Sequence, residues 1–98
     1  MKKIVTVTTT KTIDIDIPDS FLTTEKIQEF EYYMFPICTR NKINGLFNYT
    51  AEEISKDNLF IEEISEASNY NDPNSDKSNI TFHILSDYTE TYIENSSN

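Results

Sequence analysis

Apolar and polar side chains alternate along residues 3–17. The apolar side chains share one parity and the positions between them are mostly Thr and Asp; the apolar set is Val5, Val7, Ile13, Ile15 and Ile17. A period of two predicts a β-strand, which Pro18 would end. Because Thr9 and Lys11 interrupt the apolar parity, we expect a bend or bulge near residues 9–11.

The stretch Phe21–Ile37 has the apolar spacing of a helix that buries one face. That face consists of Ile27, Phe30 and Met34, with Tyr33 and Phe35 widening it on either side. Either Thr23 or Thr24 is suited to cap the helix N-terminus, since threonine oxygens accept hydrogen bonds from free backbone N–H groups. Pro36 is expected to end the helix.

A second helix is predicted after Pro36. Its apolar stripe recurs every three or four residues through Ile43, Leu46, Phe47, Thr50, Ala51 and Ile54. Thr39 or Asn41 would cap its start, and it would end near Asp57. Thr50 to Glu53 also has the spacing of a capping box, so a shorter helix starting at Thr50 is the alternative. We prefer the longer helix.

The remaining chain is predicted to contain strands and one loop. Residues 58–67 fit a strand or a helical turn, and the strand is preferred because apolar side chains alternate at its start. Residues 68–79 are rich in Asn, Asp and Ser and predict an exposed, flexible loop. Residues 80–85 predict a central strand with apolar side chains on both faces. Ser86-Asp87 would form a turn or bulge before an edge strand over residues 88–94.

This order predicts an α+β fold, β-α-α-β-β, with a small antiparallel sheet and two helices packed on one of its faces. The chain of 98 residues has room for one small core. We therefore expect a single compact domain over residues 1–94. The last four residues, 95–98, are expected to be a disordered tail.

Composition favours a cytoplasmic protein. Cys38 is the single cysteine, so no internal disulfide is possible. The first twelve residues lack the apolar core of a signal peptide because threonines interrupt it. No stretch approaches the roughly 20 apolar residues of a membrane span. We therefore expect the chain to be located in the cytoplasm.

Three groupings have side chains that could perform chemistry, and each has a simpler explanation. Asp14 and Asp16 would lie on one strand face, about 6.7 Å apart, as ordinary solvated carboxylates. Residues 72–76 imitate the start of a calcium loop but lack its later glycine and glutamate. His83 and Cys38 are the only candidates for a nucleophile pair, and nothing in the pattern brings them together. We expect no enzyme activity, no metal and no cofactor.

Charge is distributed unevenly along the chain. The net charge is −9. Residues 1–42 hold six basic and six acidic side chains, whereas residues 43–98 hold two basic and eleven acidic ones. The second segment therefore carries the whole excess of negative charge. Such a field repels nucleic acid and anionic membranes and attracts basic protein surfaces.

The acidic half supplies the candidate partner-binding residues. They come from the end of the second helix, the segment after it and the last strand: Glu52, Glu53, Asp57, Glu62, Glu63, Glu66, Asp87, Glu90, Tyr92 and Glu94. Tyrosine is included because it is enriched at interface hot spots. A protein that imitates nucleic acid must set carboxylates from several elements side by side.

In its small size, single cysteine, acidity and Ile-, Asn-, Lys- and Thr-rich composition, the chain resembles small phage or mobile-element inhibitors of the anti-CRISPR and anti-restriction type. The resemblance is one of class and rests on the chain as a whole rather than on a motif. It implies a non-enzymatic monomer or homodimer that occupies the nucleic-acid-binding groove of a bacterial defence complex. The alternative is a structural or accessory phage-type protein that dimerises through the edge strand near Tyr92.

Overall fold

The computed structural model describes residues 1–94 and has an α+β architecture of two helices and one four-stranded sheet. The elements are β1 (Ile4–Asp16), a 3₁₀ turn (Asp19–Phe21), α1 (Thr24–Tyr33), α2 (Lys42–Ser55), β2 (Phe60–Ile61), β3 (Ser65–Asn69) and β4 (Ile80–Glu94). The spatial order of the strands is β1-β4-β3-β2. The predicted tail at 95–98 lies outside the described residues.

The sheet is mixed, so the prediction of a purely antiparallel sheet is wrong. β1 pairs antiparallel with β4, and β2 pairs antiparallel with β3, but β3 runs parallel to β4. The difference arises at residues 58–67, which form a short hairpin instead of one strand. Because the hairpin reverses the chain once more, β3 runs in the same direction as β4. Residues 70–79 then form the longer connection that parallel strands require.

The bulge lies on β4 rather than at residues 9–11 of β1. The register shifts between Thr12 and Ile13, whose partners are Ser86 and Ile84, so Leu85 is the extra residue. Successive residues of a strand point to opposite faces of the sheet. One extra residue therefore moves the odd-numbered and even-numbered side chains of β4 to opposite faces beyond this point. The expectation of a bulge near Ser86-Asp87 is close to this position.

The core consists of two neighbouring clusters. The first joins the sheet to α2 and comprises Ile17, Ile54, Ile61, Ala67, Ile80 and Phe82. The second joins α1 to α2 and comprises Ile27, Phe30 and Leu46. Of the two helices, only α2 contributes a buried residue to the sheet cluster. In the described chain, α2 therefore packs on the sheet through Ile54. Helix α1 packs its apolar face against α2.

Helix α1 ends earlier than the apolar pattern suggests. Thr23 caps its start, its side chain accepting a hydrogen bond from the Lys26 N–H at 3.2 Å. The helix stops at Tyr33, which is 62% exposed and does not widen the buried face as expected. Phe35 instead turns back so that its ring meets the ring of Phe30 edge-on, with centroids 5.3 Å apart.

Helix α2 has the longer extent that the sequence favours. The side chain of Asn41 caps it by accepting hydrogen bonds from the backbone N–H groups of Ile43 and Asn44. Gly45 sits in its first turns because a Cβ there would clash with the side chains of Ile37 and Thr39. A residue that weakens the isolated helix thus allows the preceding loop to pack closely on α2.

Beyond the bulge, β1 and β4 continue as a two-stranded ribbon. We call the ribbon, residues 4–12 paired with 86–94, the arm, and residues 13–85 the body. Every arm residue except Lys11 is exposed. The radius of gyration is 17.5 Å, against about 13 Å for a compact chain of this length. The molecule measures 59 × 35 × 19 Å because the arm projects from the body.

Candidate acidic interface

The ten candidate residues divide into two groups on different parts of the fold. The body group surrounds the end of α2 and the β2–β3 hairpin and comprises Glu52, Glu53, Asp57, Glu62, Glu63 and Glu66. The arm group comprises Asp87, Glu90, Tyr92 and Glu94 on β4. The two groups approach each other at the base of the arm, because Glu52 borders one groove with Lys11, the cross-strand partner of Asp87. Glu90, Tyr92 and Glu94 lie further out along β4.

Asp57 in the body group occupies a position where glycine is usual. It follows the C-cap Lys56 of α2 and has a φ of 60°. Its N–H donates to the Ile54 carbonyl and the Asn58 N–H donates to the Glu53 carbonyl, the pair of hydrogen bonds that closes a helix with a left-handed residue. A carboxylate at this end also faces the negative pole of the helix dipole.

Glu63 holds the second left-handed backbone in the body group. The Ile64 N–H donates to the Ile61 carbonyl at 2.9 Å, which closes a four-residue turn between β2 and β3. Glu63 is the third residue of this turn and has a φ of 64°. Such a backbone costs a residue with a Cβ about 1–2 kcal/mol relative to its ordinary conformation. Both left-handed non-glycine residues of the described chain belong to the predicted site.

Tyr49 connects the two parts of the body group. Its half-buried ring contacts both core clusters. Burial raises the pKa of Tyr49, and the negative charges of Glu53 and Glu62 raise it further. The hydroxyl therefore lies in the field of a helix carboxylate and a hairpin carboxylate at once. The sequence offered one signal for this residue, since Tyr49 and Glu53 are four positions apart on the same helix face.

The acidic side chains of residues 43–94 have no ion-pair partner within the described part of the chain. Its two ion pairs are Lys26–Glu29 at 4.0 Å and Lys42–Glu31 at 2.7 Å, and both acids belong to the electrically balanced first segment. Lys77, one of the two basic residues in the acidic segment, donates hydrogen bonds to the Tyr70 carbonyl and the Ser75 hydroxyl instead. The excess charge is thus left unpaired at the surface.

The arm group does not form a single face. Glu90, Tyr92 and Glu94 alternate along β4 and lie on one face, together with their cross-strand partners on β1. Asp87 lies on the opposite face of the arm, across from Lys11. This is the face that, further along β1, holds the core residues.

The other sequence candidates do not converge on a reactive centre. Asp14 lies directly across from His83 in the sheet, and together with Asp16 they line an open groove of about 470 Å³ beside Tyr70. Among residues 1–94, no three His, Cys, Asp or Glu side chains are grouped so that they could hold a metal ion. Cys38 is exposed in the loop between the helices.

The acids of the calcium-like loop bind their own backbone. Asp72 accepts a hydrogen bond from the Asn74 N–H at 2.9 Å. Asp76 accepts hydrogen bonds from the N–H and the hydroxyl of Ser78, which hold the pKa of Asp76 below its ordinary value. These side chains therefore shape turns in the loop instead of converging on one point.

Glu31 has a structural role that the sequence pattern did not reveal. Its Oε1 accepts a hydrogen bond from Lys42 Nζ at 2.7 Å, and its Oε2 accepts one from the Ile37 N–H at 3.0 Å. Lys42 and then the Ile37 N–H lower the pKa of Glu31 below its ordinary value. One carboxylate thus fastens α1 to the following loop and to the start of α2.

The chain has no match among protein-family profiles, curated proteins or solved structures. None of the helices in residues 1–94 has the length and apolar character needed to cross a membrane.

Proposed function

We propose that this chain is a non-enzymatic binding protein that inhibits a basic, nucleic-acid-handling partner, of the phage-encoded anti-CRISPR or anti-restriction type. The observation that supports this best is the absence of ion-pair partners for the acidic side chains of the described residues 43–94. Unpaired carboxylates repel one another and weaken the fold at this net charge. A basic partner would relieve that repulsion on binding.

The charge density favours local blocking over imitation of a long duplex. A duplex as long as this molecule, 59 Å, would carry about 35 phosphate charges at one per ~1.7 Å. The whole chain has 17 acidic residues. The body group is therefore proposed to replace a few phosphates in a basic groove, while the arm group adds contacts along β4.

The backbone of the body group supports a binding role as well. Asp57 and Glu63 both hold left-handed conformations that glycine would adopt without strain. Residues held in unfavourable backbone conformations are found preferentially at functional sites. Carboxylates at these two positions lower stability and place negative charge at the exposed corners of the body.

The proposal is tested by affinity capture. The chain is immobilised, a bacterial lysate is applied, and bound proteins are eluted with a salt gradient and identified. We expect a nucleic-acid-binding complex that elutes early, since the Debye length falls from about 14 Å to about 4 Å between roughly 50 and 500 mM salt. Affinity should drop at least about tenfold over this range. The captured complex should also bind its nucleic acid more weakly when the chain is present.

A matched pair of charge variants makes the test specific. Glu62→Gln, Glu63→Gln and Glu66→Gln together remove three charges from the body group. Asp19→Asn, Glu25→Gln and Glu29→Gln remove three exposed charges from the balanced segment. Only the first triple variant should lose the partner. Equal losses in the two variants, or an affinity that does not change with salt, would disprove the proposed mechanism.

The second candidate is a structural or accessory phage-type protein that forms a homodimer at the β4 edge near Tyr92. It is favoured by the exposure of that strand, since Tyr92 is 65% exposed. A disulfide-linked dimer of a Tyr92→Cys variant in a Cys38→Ser background, together with no captured defence complex, would support this candidate over the first, since a dimer in sedimentation alone does not identify the edge.

A further inference from the structure

The arm has two open strand edges. β1 is the outermost strand of the sheet, and beyond its bulge β4 pairs only with β1. No hydrogen bond outside the β1–β4 ladder involves residues 4–16 among those the structure describes. Every second residue of β1 therefore directs an unpaired N–H and C=O outward, which is a template for another strand.

The arm also lacks the packing that normally stabilises strands. Its exposed apolar side chains include Ile4, Val5, Val7 and Ile93, each between 49% and 62% exposed. A two-stranded ribbon alone in water is only marginally stable, whereas three or more paired strands hold their shape. Pairing with an additional strand would therefore stabilise the arm.

We infer that the free edge of β1 pairs antiparallel with the same edge of a second copy of this chain, about a two-fold axis near Thr9. The sheets of the two copies would then join as β4-β1-β1-β4 across the axis. The inference concerns the purified chain alone and does not depend on the proposed inhibitor function.

The charges of β1 favour this pairing. An antiparallel partner centred on Thr9 sets Lys2, two residues before the start of β1, level with Asp16 of the second copy, on both sides of the axis. The same register sets Val5 opposite Ile13 and threonines opposite threonines in the middle, while Ile4 meets Asp14 and Val7 meets Lys11. Opposite charges and β-branched pairs across a strand boundary are both stabilising. The basic residues just before β1 and the acidic end of β1 are thus complementary in the antiparallel direction.

The charges of β4 oppose the same arrangement at the other edge. Its open part, from His83 to Glu94, contains Asp87, Glu90 and Glu94 and no lysine or arginine. Two such edges side by side would bring like charges together, which is destabilising. The β1 edge is therefore the better self-pairing edge, and β4 with Tyr92 remains at the outside of the dimer.

Cysteine cross-linking tests the register directly. In a Cys38→Ser background, Thr9→Cys places the two thiols opposite each other, with Cβ atoms about 4.5–5.5 Å apart. Thr89→Cys is the matched control, since Thr89 is the cross-strand partner of Thr9. Its two copies would be separated by three strand spacings, about 14 Å. We expect mild oxidation to link Thr9→Cys into a dimer and leave Thr89→Cys unlinked.

A charge swap provides the second measurement. Lys2→Glu or Asp16→Lys alone should raise the dimer dissociation constant roughly three- to thirtyfold, because each change affects two exposed ion pairs. The two substitutions together should restore it. Sedimentation should give twice the mass of the 11.4 kDa chain at about 100 μM. A monomer at that concentration, or no cross-link at any of Thr8→Cys, Thr9→Cys and Thr10→Cys, would overturn the inference.

Discussion

The two ends of β4 show how differently the body and the arm are stabilised. Ile80, Thr81 and Phe82 are at most 7% exposed, and Ile80 and Phe82 belong to the core cluster that includes Ile54 of α2. Eleven positions after Phe82, on the same strand, Ile93 is 55% exposed and faces one neighbouring strand. The strand continues well past the core that supports it. Burial determines the structure of the body, whereas the hydrogen-bond ladder and residue type determine the arm.

The amino acids of the arm agree with this difference. Its β1 half is largely threonine and valine, β-branched residues that favour extended backbone. Cross-strand pairs contribute roughly 0.2–1 kcal/mol each, compared with about 1.5–3 kcal/mol for a fully buried large apolar side chain. Substitutions of the same kind should therefore have different effects in the two regions.

The largest difference is expected between two isoleucines of β4. Ile80→Ala should lower the free energy of unfolding by about 2–5 kcal/mol, since it leaves a cavity in the sheet cluster. Ile93→Ala should lower it by less than about 1 kcal/mol because half of the side chain is already in water. Urea denaturation of both variants at one low protein concentration measures the two values.

Equal losses of unfolding free energy in the two isoleucine variants would contradict the proposed difference between body and arm. They would mean that the arm unfolds together with the body as one cooperative unit. Hydrogen exchange distinguishes the cases, since arm amides should exchange through local opening if the arm depends only on its ladder.

The sequence predicted the helices well because their signals are local. The cap of α1 at Thr23 and the cap of α2 at Asn41 were both among the expected positions. The buried face of α1 at Ile27 and Phe30 is also confirmed. Each of these features depends on residues within one or two turns, so a periodic pattern contains the necessary information.

The sheet was predicted less well because its arrangement depends on distant residues. The β2–β3 turn has two glutamates at its centre and no Gly or Asn to signal a reversal. The parallel pairing of Ala67 with Ile80 depends on how residues 70–79 cross the sheet. The bulge at Leu85 lies one residue before the expected Ser86-Asp87, and pairing with β1 fixes its position.

The candidate site shows the same division. Charge counting identified the acidic half, but the division into body and arm groups follows from the length of β4. The left-handed backbones at Asp57 and Glu63 depend on how a helix and a turn end. Glu31 joins α1 to the following loop and to the start of α2, contacts that no periodic pattern signals. These contacts arise only after the chain has folded.

The next largest effect is expected at Thr50 in the body. This residue is fully buried, and its hydroxyl oxygen has no hydrogen-bond partner in the described structure. Thr50→Val keeps the side-chain shape and removes the unpaired group, so it should raise the free energy of unfolding by about 1–2 kcal/mol. Thr8→Val on the exposed arm is the control and should change it by less than about 0.5 kcal/mol. A loss of stability in Thr50→Val would mean that water or a rotamer change satisfies the hydroxyl.

A smaller gain is expected at the β2–β3 turn. Glu63→Gly should raise the free energy of unfolding by about 1 kcal/mol, because glycine adopts a φ of 64° without strain. Glu62→Gly removes the same charge from the neighbouring residue, whose φ is not left-handed, and should lower stability by about 0.5–1 kcal/mol. Thermal denaturation of the two variants separates the backbone effect from the charge effect. A similar change in both would show that charge repulsion dominates.

The smallest effect concerns the pH dependence of Glu31, which joins segments within the body and has no counterpart in the arm. Because hydrogen bonds from Lys42 and from the Ile37 N–H lower its pKa in the folded state, the folded chain holds this proton less tightly than the unfolded chain. Its stabilising contribution is therefore complete above the ordinary pKa of 4.5 and is lost as the pH falls through the folded value. Glu31→Gln should lower the melting temperature at pH 7, and its difference from the unsubstituted chain should shrink near pH 3.

Glu90→Gln on the arm provides the comparison for this last effect. Glu90 is exposed and forms no ion pair with any described residue, so its removal should shift the melting temperature little at pH 7. High salt should weaken the effect of Glu31→Gln only in part, since that carboxylate also accepts a backbone hydrogen bond. If the two variants instead have the same pH profile, the Glu31 contacts do not fasten α1 to α2, and packing of Phe30 against Leu46 alone holds the helices together.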